Sequence, residues 1–209
     1  MSKILKDYQT VSLKAEDLGG KVDFSRIFGR SGCVNIEIGC GKGAFLLSQA
    51  MARPCDNFLG IERTGRYYRF AVDRIGRWGL ANVRIIHADA SVFLAEFVAD
   101  ASVDCFHIYF PDPWPKKRHN KRRFICQANL GTMIRCLTPA GQIQIATDHP
   151  DYFEQIRMLL LAEAGRLEES DFIPAAGVQT GECTGTNFER KYILDSRQIY
   201  TIAVKKSSS

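Results

Sequence analysis

Short runs rich in β-branched residues alternate along the chain with longer stretches of helical spacing, and this alternation constrains the fold more than any other feature. Cys33 to Ile38 reads as a buried strand, followed by a helix from Ala44 to Ala52. Asn57 to Glu62 is a second strand, followed by a helix from about Arg66 to Trp78. Val83 to His87 is a third, with a short helix near Val92 to Val98. Val103 to Phe110 is a fourth, leading through a polar loop to a helix from about Phe124 to Cys136. Gly141 to Thr147 makes a fifth, before a helix near Tyr152 to Ala164, and Gln198 to Val204 is a last β-like run. Such spacing predicts right-handed crossovers and a mainly parallel sheet with helices on both faces, a Rossmann-like α/β fold. Ligands of these sheets sit outside the carboxyl ends of the strands, so the chemistry should follow each strand directly.

A chain of 209 residues, 45% of them hydrophobic, supports one domain with its own core and is too short for two full-sized ones. We therefore expect a single unit over 1–209, with a short N-terminal segment (1–30) and a frayed tail (205–209). No apolar stretch approaches the roughly 20 residues of a membrane span, and Met1 to Tyr8 lacks the apolar region of a secretory signal. The seven cysteines are scattered, without a C-x-x-C pair, and read as reduced small hydrophobes in the cell interior. His87, His107, His119 and His149 have no ligand spacing, so no metal site is expected.

The first strand ends in Glu37-Ile38-Gly39-Cys40-Gly41-Lys42-Gly43. Glycines let such a loop turn tightly and approach a ligand closely. The pattern alone also satisfies the looser dinucleotide fingerprint. Glu37, however, would repel a pyrophosphate and welcome an ammonium, such as that of S-adenosylmethionine. Glu62 ends the second strand, where an acid accepts bonds from ribose hydroxyls, and Asp89 follows the third, placed for the adenine amine. Three acids after three successive strands cradle a ligand carrying an ammonium, a diol and an amine. A nicotinamide-dependent dehydrogenase would use Glu62 equally well, and each acid singly also suits a solvated loop or helix N-cap.

The fourth strand runs into Phe110-Pro111-Asp112-Pro113-Trp114-Pro115, where prolines stiffen the backbone around an acid and an aromatic plane. A base-modifying site needs that pairing: a ring to stack on the base and an acid to orient its edge. Lys116, Lys117, Arg118, Lys121, Arg122 and Arg123 follow, the densest positive charge in the chain. A cluster of this kind attracts phosphates whatever the sequence. It also precedes a helix, whose N-terminus ordinarily prefers acids.

The run F-P-D-P-W-P-K-K-R-H-N-K-R-R, with E-I-G-C-G-K-G before it, resembles the bacterial tRNA (guanine-N7)-methyltransferase family. Ala146-Thr147-Asp148-His149 resembles the family's T-D motif, and Thr186-Asn187-Phe188-Glu189 its T-x-F-E motif, so the likeness extends from about Asp23 to Val204. The resemblance implies a class I S-adenosylmethionine-dependent methyltransferase acting on N7 of the variable-loop guanine numbered 46 in tRNA. It implies cofactor contacts from Glu37, Gly39, Gly41, Gly43, Glu62, Asp89 and Asp112, with Asp112 nearest the chemistry. Lys116, Asp148, Thr186, Asn187, Phe188 and Glu189 would hold the substrate guanosine. Arg118, His119, Asn120, Lys121, Arg122 and Arg123 would lie along the RNA. A cytoplasmic monomer or homodimer without an obligatory protein partner is the corresponding expectation. From the residues alone, Asp148 also reads as a helix N-cap and Thr186 with Glu189 as a capping box. Methylation of an exocyclic amine is the nearest rival chemistry, and a binding module that has lost turnover is the rival of another class.

Overall fold

In the computed structural model, which describes residues 5–14, 16, 18–178 and 181–207, eight strands form one sheet. In chain order the elements are β1 (Ser12–Leu13), α1 (Phe24–Phe28), β2 (Val34–Ile38), α2 (Ala44–Ala52), β3 (Asn57–Glu62), α3 (Gly65–Trp78), β4 (Val83–His87) and α4 (Ala90–Phe97). They continue with β5 (Val103–Tyr109), a 3₁₀ helix (Lys117–Arg122), α5 (Gln127–Cys136), β6 (Leu137–Thr147), α6 (Pro150–Ala162), β7 (Leu167–Ser170), α7 (Asn187–Leu194) and β8 (Tyr200–Lys206). The spatial order is β1-β4-β3-β2-β5-β6-β8-β7, parallel throughout except for β8, which runs antiparallel to both neighbours. The order reverses at β2, and the ends of β2, β3 and β5 gather there.

Central strands are buried on both faces, with Asn35 and Glu37 among the buried residues of β2. Alternate residues serve two cores: Ile36, Leu59 and Ile86 pack toward α1, α4, α5 and α6, whereas Phe58 and Ile85 pack toward α2 and α3. Helices therefore cover both faces, as the alternation predicted.

Most differences from the sequence reading lie at element ends. Asp89 caps α4, accepting from the Ser91 and Val92 amides, so that helix starts two residues earlier than its apolar run. His149 caps α6, so Asp148 is not the cap, and Pro150 occupies the first turn, where its missing N–H costs nothing. At the start of α5 the chain stays extended until Gln127, because the Ile125 amide is committed to the Tyr152 hydroxyl at 2.9 Å. The tail expected from residue 205 is shorter: Lys205 pairs with Gln142 and Lys206 with Leu167, both inside β8, while Ser208 and Ser209 lie outside the described residues. Of the cysteines, Cys40 and Cys136 are buried as small hydrophobes, but Cys33 and Cys55 are exposed. No helix among the described residues is long and apolar enough to cross a membrane.

Candidate active site at the strand ends

A cavity of about 430 Å³ opens beyond the end of β2, walled by Glu37, Gly39, Cys40 and Gly41, by Lys42 to Phe45 in part, and by Thr186 to Phe188 across from them. A larger depression, about 550 Å³, lies at Gln142, Glu169 and Lys205, and none of the strand-end acids faces it. The smaller cavity is where the fold puts ligands.

Its floor carries an unusual acid. Glu37 is buried, and its Oε2 has no hydrogen-bond partner. Burial, reinforced by the nearby charge of Glu62, pushes the carboxyl up to about 8. A buried, unpartnered carboxylate oxygen fits an incoming ammonium, the group at the methionine end of S-adenosylmethionine. Gly39, at φ 74°, supports the same fit, since an added Cβ there would meet nothing within 4 Å and would stand in open ligand space. Gly43 differs: a Cβ there would lie 3.2 Å from the Cβ of Ala71, so this glycine lets α2 pack on α3 and does not wall the cavity.

Each Glu62 oxygen already accepts one backbone hydrogen bond and keeps further acceptor capacity. Oε2 accepts from the Gly41 amide at 2.8 Å and Oε1 from the Thr64 amide at 2.7 Å, which staples the glycine loop to the end of β3. Asp89 spends Oδ1 on capping α4 and has Oδ2 at 3.5 Å from the Arg63 guanidinium, and it stands outside the cavity wall.

At the exit from β5, Phe110 (φ 52°) and Trp114 (φ 42°) both adopt left-handed backbone, a conformation costing roughly 1 kcal/mol or more for such side chains. The loop is thus held by strain as well as by its prolines. Asp112 is exposed between these two residues and is not part of the cavity wall. Trp114 is already covered: the Arg122 guanidinium lies 4.9 Å from its ring centre and His119 meets it edge-on. Lys116 to Arg118 and Lys121 are exposed, and Asn120 keeps a buried Oδ1 without a partner. Arg123 departs from the expected RNA surface. It is buried, donating to the Pro113 carbonyl at 2.8 Å and to Gln155 Oε1 at 2.6 Å, with its plane over Tyr152. Its charge supports the loop from behind.

Glu189 is also corrected. It is fully buried, and its carboxylate accepts from the amides of Cys183, Thr184 and Gly185 and from the Thr184 hydroxyl, at 2.5 to 2.9 Å. No lone pair faces a substrate base; the residue organises the turn before α7. Thr186 caps that helix, accepting from the Glu189 amide at 3.1 Å, which is half of a capping box. Asp148 is held through Oδ2 by Arg197 at 2.7 Å, and no described residue donates to its Oδ1. Thr186, Asn187 and Phe188 reach the cavity, whereas Lys116 and Asp148 do not.

Residues outside the sequence reading complete the cavity, notably Tyr67 and Arg74 of α3, Tyr109 of β5 and Lys191 of α7. The Tyr109 hydroxyl donates to His107 Nδ1 at 2.8 Å, and Nε2 of that ring donates to Asn35 Oδ1 at 3.1 Å. Burial holds His107 down at about 3, so it stays neutral and can serve both bonds. The i, i+2 spacing of His107 and Tyr109 on a strand was the available signal.

Among solved structures, the chain resembles a 30S ribosomal A1408 methyltransferase from an uncultured bacterium (TM-score 0.59, 15% identity, 90% of this chain and 95% of that one). It also resembles an S-adenosylmethionine-dependent O-methyltransferase of Thermotoga maritima (TM-score 0.55, 16% identity, 90% and 68%). At such identities the likeness concerns the fold, that of class I methyltransferases. Residues 31–202 match the family model described as "Putative methyltransferase". A tRNA (guanine-N(7)-)-methyltransferase of Rhodopirellula baltica is 33% identical, covering 92% of this chain and 73% of its own length. That of Burkholderia cenocepacia is 37% identical over 88% of this chain and 71% of its own. A Nitrosococcus oceani relative of the same name is 43% identical over 71% of this chain, a match spanning 64% of that relative. With its glycine loop, its acid at the end of β2 and this extent of sequence match, the chain belongs to the tRNA (guanine-N(7)-)-methyltransferase family.

Proposed function

We propose that the protein transfers a methyl group from S-adenosylmethionine to N7 of a guanine in tRNA, the variable-loop guanine numbered 46, and works in the cytoplasm, where that substrate is found. Bound S-adenosylmethionine supplies an electrophilic methyl on a sulfonium. Guanine N7 carries a lone pair and no proton, so no base need abstract anything first. What remains for the protein is alignment and electrostatics.

The single observation that carries the reading is the unpartnered Glu37 Oε2 in the cavity floor, which takes the ammonium of the donor. Glu62 keeps the glycine loop in its binding shape from behind. Asp112, on the strained exit of β5, offsets the positive charge developing on the purine. Asp148, anchored by Arg197, offers Oδ1 to the N1–H and N2 edge of guanine, donors that adenine lacks. Glu189 acts one step back, shaping the turn that sets Thr186 to Phe188 against the cavity.

The test is transfer of labelled methyl onto unmodified tRNA, followed by nuclease digestion and identification of the nucleoside. The expected product is 7-methylguanosine. Label recovered on an exocyclic amine, or no transfer at all, overturns the proposal.

A further inference from the structure

Four arginines, Arg66, Arg69, Arg74 and Arg77, stand on α3 within about 140° of its circumference, at 100° per residue. The one acid of that helix, Asp73, is buried and already engaged by the Arg77 guanidinium and the Lys6 amide. Arg66 and Arg69 are exposed and form no ion pair among the described residues; Arg66 only leans on the Phe70 ring at 5.9 Å. Arg74 is half-buried in the cavity wall, and no described residue accepts a bond from it. Arg74 shares the cavity wall with Asn187, Phe188 and Lys191 of α7, and burial with the charges of Arg77 and Arg190 depresses its basicity, Arg190 being itself paired with Glu182 at 2.8 Å. Lys42 and Lys191, neither of them in an ion pair among the described residues, line the same cavity, and exposed rings of Tyr67 and Phe188 flank it.

Like charges gathered this way repel in the free protein and are relieved by a polyanion. We infer that the face shared by α3 and α7 is a docking surface for the phosphate backbone of tRNA, with Arg74 meeting a phosphate next to the nucleotide that enters the cavity. This rests on the proposed tRNA substrate. The carboxylate of the methyl donor is the other anion at hand, but it hangs from the same carbon as the ammonium beside Glu37. Arg66 and Arg69, which do not line that cavity, have no part in holding it. The surface also supplies what the basic run withholds, since Arg123 is spent internally and Arg122 lies on Trp114.

The experiment measures binding of an unmodified tRNA transcript to the full chain and to the triple variant Arg66→Ala, Arg69→Ala, Arg74→Gln, from about 50 to 300 mM KCl, the range over which phosphate contacts are screened. Donor affinity and melting temperature are read alongside. The double variant Arg66→Ala, Arg69→Ala, which leaves the cavity wall intact, is read beside the triple one, and we expect it to bind S-adenosylmethionine and to melt like the parent. The triple variant's tRNA affinity at about 100 mM salt should fall at least roughly tenfold, and its log–log salt slope should be shallower by about 2 to 3, near 0.7 to 0.9 per phosphate lost. Unchanged slope and affinity, in a parent that methylates tRNA, overturn the docking surface alone. Loss of self-association in sedimentation, with RNA binding unchanged, overturns it in favour of a second copy of the chain. A parent that neither binds nor methylates tRNA overturns the substrate reading and this inference with it.

Discussion

Replacing Glu37 with glutamine should stabilise the ligand-free protein while abolishing its response to the methyl donor. The folded carboxyl is raised from 4.5 to about 8 by burial and by Glu62, so between those values the folded state holds a proton that the unfolded chain has released. Stability then falls as pH rises from 4.5 to about 8 and levels off above it. At pH 7 the acid has lost stability over about 2.5 pH units at roughly 1.36 kcal/mol each, about 3 kcal/mol. The neutral amide of the variant has no charge to bury, so that contribution disappears. For a domain of this size the melting temperature at pH 7 should rise by about 6 to 12 °C, and the difference between the two proteins should vanish near pH 4.5. In the same variant the ammonium meets no anion, and the upward shift produced by S-adenosylmethionine should be lost. Thermal unfolding by circular dichroism, with and without donor, at about pH 5, 7 and 8.5 measures both effects. A variant no more stable than the parent at pH 7, or one that keeps the full donor-induced shift, refutes the reasoning.

Further consequences separate residues that look alike in sequence. Arg123→Ala should cost about 3 kcal/mol in urea unfolding, because it strands the Pro113 carbonyl and Gln155. Lys121→Ala, at an exposed position, should cost under about 0.5 kcal/mol while flattening the salt dependence of tRNA binding. Glu189→Ala should remove the acceptor of four donors, costing about 3 to 5 kcal/mol and opening the turn at residues 182–186 to limited proteolysis. Gly60→Ala would drive a Cβ to 2.5 Å from Leu46 Cδ1 and 2.8 Å from Cys40 Sγ, so calorimetry should show a loss of about 1 to 3 kcal/mol and weaker donor binding.

Strands such as Asn57–Glu62 and Val83–His87 were legible to the residue because each is built on buried apolar residues, Phe58, Leu59 and Ile61 in one and Val83, Ile85 and Ile86 in the other. The two-residue β1, the five-residue α1 and β7, with its two adjacent glutamates, are too short or too polar to leave such a pattern, and pairing with neighbours alone defines them. Within the site, Glu37 and the glycine loop could be read because their chemistry is local to one turn. The burial of Arg123 could not: by composition it is the last of a basic run, and only the approach of Tyr152 and Gln155 from α6 turns it inward. Glu189 misled for a related reason, since the amides that fill its carboxylate belong to a loop whose path no spacing rule describes. Arg74 reads as one more cation of an amphipathic helix until α7 is brought beside it.

The antiparallel insertion of β8 between β6 and β7 has a consequence for the order of events on the ribosome. Strand β7 is made before β8 and, among the described residues, pairs with β8 alone, so it has no sheet partner until β8 has emerged. Until then the outer edge of β6, from Gln142 to Thr147, is bare. A nascent chain can shape its glycine loop before β8 is made, whereas α7, which carries the far wall of the ligand chamber, is followed directly by the strand that fills the edge of β6.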